Sequence, residues 1–144
     1  RVEEANPGWR VIRPGEAEGI LLGGNMRSLL TLAGTPYQPD LRGAILMLED
    51  IAEEPPSAIQ RMLRQAVHAG LLQGVRALAF GRFPKEAGVD DEALHAIVRA
   101  VLGPAVMMPV LVGLDFGHTD PMLTLPFGAK TALRTDPAEI QLVL

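Results

Sequence analysis

The sequence predicts a mixed α/β domain, and three observations carry that prediction. Short unbroken apolar runs alternate with amphipathic helical stretches through the middle of the chain. Both ends carry only strand-like segments. The length of 144 residues suffices for one domain with its own core, since chains near this size bury roughly 68–70% of their unfolded surface.

The elements follow in order. Trp9-Arg10-Val11-Ile12-Arg13 has a strand's composition and stops at Pro14-Gly15. Gly19-Ile20-Leu21-Leu22 is a second apolar run, ending in Gly23-Gly24-Asn25. Asn25 suits the N-cap of a short helix carrying Leu29, Leu30 and Leu32. Residues 34–40 read as loop. Ala44-Ile45-Leu46-Met47-Leu48 lacks alternation, the pattern of a strand buried on both faces, and breaks into Glu49-Asp50. Ser57 and Gln60 have capping-box spacing and predict a helix over 57–69. Ile59, Met62, Leu63, Ala66 and Val67 give it one apolar face, and Gly70 ends it. Val75–Phe80 is the next strand, closed by Gly81. Asp90 caps a second helix, with Asp91 and Glu92 in its first turn and Leu94, Ile97, Val98, Val101 and Leu102 on its inner face. Val110-Leu111-Val112 is a buried strand running into Gly113-Leu114-Asp115-Phe116-Gly117-His118. Leu123–Leu125, Thr131–Leu133 and Ile140–Val143 read as short strands of a closing meander. The middle is therefore βαβαβ, which implies crossovers and a parallel core, and the C-terminal end is all-β.

Composition narrows the function. With no cysteine, disulfide scaffolds, thiolate metal sites and cysteine nucleophiles are excluded. Thirteen basic and seventeen acidic residues give a net charge of −4 without a basic stripe, which sets nucleic-acid binding aside. No apolar run reaches the ~18 residues of a membrane span. Glycine and proline total 27 residues, short of the ~25–30% that signals low complexity. The chain opens Arg1-Val2-Glu3-Glu4, without Met or a signal-like segment, as a processed protein or a fragment would.

In an open α/β sheet, functional groups gather at the carboxyl ends of strands. Strand 44–48 delivers Glu49 and Asp50. Strand 110–112 delivers Asp115 and His118. If these strands are neighbours, Glu49 and His118 can meet, and a histidine oriented by a carboxylate is the base half of a hydrolytic triad. Spacing alone does not single this pair out, because an acidic pair after a strand is commonly a solvated loop start and a turn histidine is commonly a surface residue. His68 reads as a half-buried packing residue and His95 as solvent-facing. The nucleophile is missing. Ser28 and Ser57 each lie near a helix start, outside any G-x-S-x-G context, and nothing supports Thr35 or Thr119. Glu49, Asp50, Asp115, His118 and Asp120 have the donor types of a hard or borderline cation site but not the spacing of a known one. Gly23-Gly24-Asn25 before a helix can cradle an anion, but a tight turn explains it equally.

Taken together, an ordered series of motifs resembles the LD-carboxypeptidase family, which includes the microcin C self-immunity peptidases. The series is Gly23-Gly24-Asn25-Met26, Gly34-Thr35-Pro36, Asp40, Gly43 through Ile51 with Glu53, Arg61-Met62-Leu63, Phe116-Gly117-His118 and Leu125 through Ala129. It runs from about Gly19 to Leu133. The resemblance implies a metal-free, cofactor-free serine peptidase with a Ser-Glu-His triad. It implies that residues 1–144 are the C-terminal domain, of swivelling β/β/α type, of a two-domain enzyme whose serine and oxyanion hole sit in an N-terminal domain. Glu49 matches the triad glutamate and His118 the triad histidine; Asp50 and Glu53 would shape the surrounding loop. The implied substrate is the L,D-amide of a cytoplasmic murein tetrapeptide or a peptidyl-nucleotide conjugate, and a homodimer stays open. Neither nucleic acid nor membrane is implied as a partner. The chain departs from the pattern at Pro56-Ser57 and Gln60, at Asp115 where proline is frequent, and harmlessly at Met26. The altered 56–60 stretch keeps a rival reading open, a non-catalytic peptide-binding or dimerisation domain. A weaker rival is a metal-dependent hydrolase centred on Glu49, Asp50 and His118.

Overall fold

The computed structural model describes residues 6–143, so the opening Arg1–Glu4 lies outside the described residues. Elements run β1 (Arg10–Arg13), β2 (Glu16–Asn25), α1 (Met26–Thr31), β3 (Ala44–Glu49), α2 (Pro56–His68), β4 (Ala77–Gly81), a 3₁₀ turn (Lys85–Ala87), α3 (Asp91–Leu102), β5 (Val110–Leu114), β6 (Lys130–Thr135) and β7 (Ala138–Leu142). The strands form one mixed sheet in the order β1-β5-β4-β3-β2-β6-β7. The four central strands, β2 to β5, are parallel to their neighbours among themselves. The outer strands β1, β6 and β7 pair antiparallel. The architecture is thus a mixed α/β domain with a seven-stranded mixed sheet.

Two apolar layers explain the unbroken run in β3. Leu46 and Leu48 face a cluster with Ile59 and Leu63 of α2 and Ile97 and Val98 of α3. Ile45 and Met47 face the other side, against Leu21, Leu111, Leu114 and Leu133, with Trp9, Phe116 and Ile140 at its margin. All six residues of β3 are buried, because a strand covered on both faces has no solvent side. Full burial of Ile59 and Leu63, both 0% exposed, contributes about 1.5–3 kcal/mol each relative to exposure.

The helix ends follow local chemistry, with one correction. Asn25 caps α1 by accepting from Ser28 N–H, and Asp90 caps α3 by accepting from Ala93 N–H. Helix α2 ends in a Schellman turn: Leu71 N–H donates to Ala66 O, Gly70 N–H donates to Val67 O, and Gly70 has φ +74°. Its start differs from the capping box expected at Ser57. Pro55 is the N-cap and no side chain caps it. Proline at the first helical position, Pro56, lacks the N–H that would need a cap and presets the helical φ.

The closing meander also differs. Thr131–Leu133 and Ile140–Leu142 fall within β6 and β7, an antiparallel pair, but Leu123–Leu125 forms no strand. Pro121 and Pro126 flank that run, and proline supplies no ladder donor. Leu123 N–H instead donates to Asp115 O at 2.7 Å, and Leu125 packs against the second apolar layer.

Candidate active site

Because β2 to β5 are parallel, their carboxyl ends share one edge of the sheet. Register places Asn25 beside Glu49 and Gly81 beside Leu114. At that edge His118 Nδ1 lies 2.5 Å from Glu49 Oε2. An ionised carboxylate only accepts, so Nδ1 carries the proton and Nε2 is left as the second ring nitrogen. Glu49 is 4% exposed, while the His118 side chain is 51% exposed. The pair thus joins a buried carboxylate to an accessible imidazole.

The route by which they meet is not the one expected. Strands β3 and β5 are not neighbours; β4 lies between them. The segment after β5 crosses the end of β4 to reach Glu49. Two glycines make room for it. A Cβ on Gly81 would sit 2.2 Å from Phe116 O. A Cβ on Gly117 would sit 2.7–2.9 Å from Oε2, Cβ and Cγ of Glu49, and Gly117 has φ +104°. Both crossings require residues without side chains.

Asp50 turns inward beside Glu49. It is 0% exposed. Its carboxylate accepts from Asn25 Nδ2 at 3.0 Å, Arg27 N–H at 3.1 Å and Ile51 N–H at 2.9 Å. Asn25 therefore caps α1 and also ties it to the end of β3. Gly23-Gly24-Asn25 is not the tight turn expected but the end of β2, in register with Met47, Leu48 and Glu49; a Cβ on Gly23 would meet Met47 O at 1.9 Å. Glu54, which the sequence did not single out, is buried and pairs with Arg27 Nη1 at 2.8 Å.

The remaining candidates scatter. Asp115 is tied to Arg82 Nη2 at 2.7 Å. Glu53, Ser28, Ser57 and Thr35 are exposed. Thr119 Oγ1 is buried without a hydrogen-bond partner among the described residues. His95 is exposed, and so is His68, contrary to the half-buried packing role expected of it. His68 stands in the last turn of α2, where a cation complements the carbonyl end of the helix. Among the described residues, no group of three histidine, aspartate or glutamate side chains converges as a metal site. Beside Phe116 opens an apolar hollow of about 240 Å³, lined in part by Trp9, Leu123, Leu125 and Ile140.

Arg82 escaped the sequence reading. Arg82 follows β4 directly, as Asp115 follows β5, so the strand-end rule that selected Asp115 applied to it equally.

Comparison with known proteins gives one consistent picture. Residues 18–133 match the LD-carboxypeptidase C-terminal domain. A probable murein peptide carboxypeptidase of Bacillus subtilis (strain 168) is 36% identical over 135 residues, covering 92% of this chain and 42% of that protein. The muramoyltetrapeptide carboxypeptidase of Oxalobacter formigenes superposes with a TM-score of 0.75 at 36% identity, covering 94% of this chain and 48% of that one. MccF in complex with glutamyl sulfamoyl guanosine superposes with a TM-score of 0.83 at 28% identity, covering 98% of this chain and 42% of that one. The chain spans about two fifths of the length of the curated relatives it matches.

Proposed function

Since the chain belongs to the LD-carboxypeptidase family through that family's C-terminal domain, we propose that it carries the base and the orienting carboxylate of a serine-type carboxypeptidase. The observation that carries this reading is the contact of 2.5 Å between His118 Nδ1 and a buried Glu49. Glu49 holds the ring in the tautomer that leaves Nε2 unprotonated. Nε2 takes the proton from a serine hydroxyl as its oxygen attacks the scissile carbonyl, and returns it to the leaving amine when the bond breaks. Glu49 stays ionised and stabilises the imidazolium between the two transfers. The serine and its oxyanion hole come from an N-terminal domain of the same protein, and the present domain is of the swivelling β/β/α type.

The substrate proposed is the L,D-amide of a murein tetrapeptide, in keeping with the murein and muramoyltetrapeptide carboxypeptidases among the relatives. A second reading, a peptide joined to a nucleotide, is favoured by the ligand in the MccF complex. A cytoplasmic location is part of both proposed readings. Among the described residues no helix is long and apolar enough to cross a membrane.

The test uses the full-length protein and a purified tetrapeptide. Glu49→Gln and His118→Ala should each lower kcat by about 10³–10⁴-fold. A serine-reactive probe should label the wild type, and residues 1–144 alone should release no D-amino acid. Unchanged kcat/KM in His118→Ala would remove the role assigned to that residue.

A further inference from the structure

The segment from Leu114 to Pro121 carries His118 across the end of β4, and one side chain of β4's own continuation holds it at both ends. Arg82 N–H donates to Leu114 O at 2.8 Å. Arg82 Nη2 lies 2.7 Å from Asp115 Oδ1. The same nitrogen donates to Asp120 O at 2.8 Å. Asp115 and Asp120 bracket the four residues Phe116 to Thr119, with His118 among them. The two side chains of the ion pair are 11% and 16% exposed, so bulk water screens the pair only partly.

We propose that Arg82 is a positioning residue for His118. It closes the loop by clasping Asp115 and the Asp120 carbonyl, and thereby holds the imidazole against Glu49.

Three observations support this role over a general contribution to stability. First, the Arg82 guanidinium holds the loop in two ways: Nη2 donates a hydrogen bond to the Asp120 carbonyl, and its charge faces Asp115 Oδ1 in an ion pair without a hydrogen bond. Second, the loop's other backbone ties are made at residues other than His118, Phe116 N–H donating to Leu114 O at 2.8 Å and Leu123 N–H to Asp115 O at 2.7 Å. The His118 side chain is half exposed, and among the described residues it is held by the contact with Glu49. A flexible loop of this length would spread the ring over many positions. Third, the clasp stands where the loop must pass closest to β4, since Phe116 O crowds Gly81.

The proposal rests on the reading of His118 as the base only for its catalytic consequence; the positional claim stands on geometry. The test reads the two separately. The downfield Nδ1 proton of His118 is followed by NMR in the ¹⁵N-labelled chain, with Arg134→Met as a control on an exposed arginine. Wild type and the control should both show a sharp resonance. Arg82→Met and Asp115→Asn should each broaden or abolish it while the amide spectra of α2 and α3 stay dispersed. Asp115→Asn keeps size and shape, so it carries the test if Arg82→Met does not fold. A folded Asp115→Asn with the resonance at wild-type width overturns the proposal, whatever the activity. In the full-length protein, the same variants should lower kcat by about 10–100-fold with KM changed less than about twofold, as for a displaced base. Loss of the resonance with unchanged kcat would uphold the clasp and overturn instead the role of His118 as base. A purely structural role would lower the melting temperature and leave both readouts in place.

Discussion

Gly117→Ala is expected to drive Glu49 and His118 apart, and its cost can be worked from two glycines that differ in one respect. Gly117 has φ +104° and Gly128 has φ +90°. An alanine at either site must hold a backbone conformation that L-residues rarely adopt, at about 1–3 kcal/mol. Stiffening of the unfolded chain offsets each by about 0.4–1 kcal/mol. At Gly128 nothing lies within 4 Å of the added Cβ, whereas at Gly117 it meets Oε2, Cβ and Cγ of Glu49 at 2.7, 2.8 and 2.9 Å. Cβ and Cγ are close to the β3 backbone and cannot swing away as a free side-chain end can. Forcing a methyl into such a site costs a further 1–3 kcal/mol or so. Gly117→Ala should therefore be destabilising by about 1–3 kcal/mol more than Gly128→Ala. Urea unfolding at constant m-value measures the difference. The His118 Nδ1 proton resonance reports whether the contact survives. Equal costs for the two variants, within about 0.5 kcal/mol, would refute the claim that Gly117 is needed for the approach to Glu49.

Three further outcomes follow from particular residues. Asp50→Ala leaves Asn25 Nδ2, Arg27 N–H and Ile51 N–H without their acceptor; a loss of about 2–4 kcal/mol is expected in thermal or urea unfolding, and Asp50→Asn should lose less. Asp90→Ala removes the cap on Ala93 N–H and should cost about 1 kcal/mol, whereas Ser57→Ala should stay within about 0.5 kcal/mol because Ser57 caps nothing. Arg42 beside Asp40 holds that carboxyl down at about 2. A depressed folded value means the stabilisation is present above the ordinary carboxylate range and is lost as pH falls through about 2. The pair is fully exposed, so salt should erase the difference between wild type and Asp40→Asn near neutral pH.

Much of the fold was legible because it depends on periodicity. The apolar face of α3, that of α2 apart from Val67, which is exposed in the last turn, and the unbroken run of β3 each state in sequence which side must be covered. Glycine at the end of α2 and asparagine before α1 were legible because their preferences are local. The misreadings have equally local causes. Ser57 has capping-box spacing, but Pro56 opens the helix first and needs no cap. Leu123–Leu125 has strand composition, but two prolines deprive it of a ladder. His68 lies next to the apolar stripe in sequence, yet the helix ends before that side reaches the core.

For the candidate site the division is sharper. The sequence by itself determined that Glu49 and Asp50 leave a buried strand together and that His118 follows another, flanked by glycine. It also determined the family, through a series of motifs spread over most of the chain. Only the tertiary structure decided that β4 separates those two strands and that the loop bearing His118 crosses it. Gly81, Gly117 and Arg82 matter for that reason alone. A glycine's need for close approach and an arginine's hold on Asp115 and the Asp120 carbonyl depend on atoms more than thirty positions away in sequence, and no local preference encodes such a distance. Parallel register brings those atoms to one edge of the sheet, where a buried carboxylate and a half-exposed imidazole come within 2.5 Å.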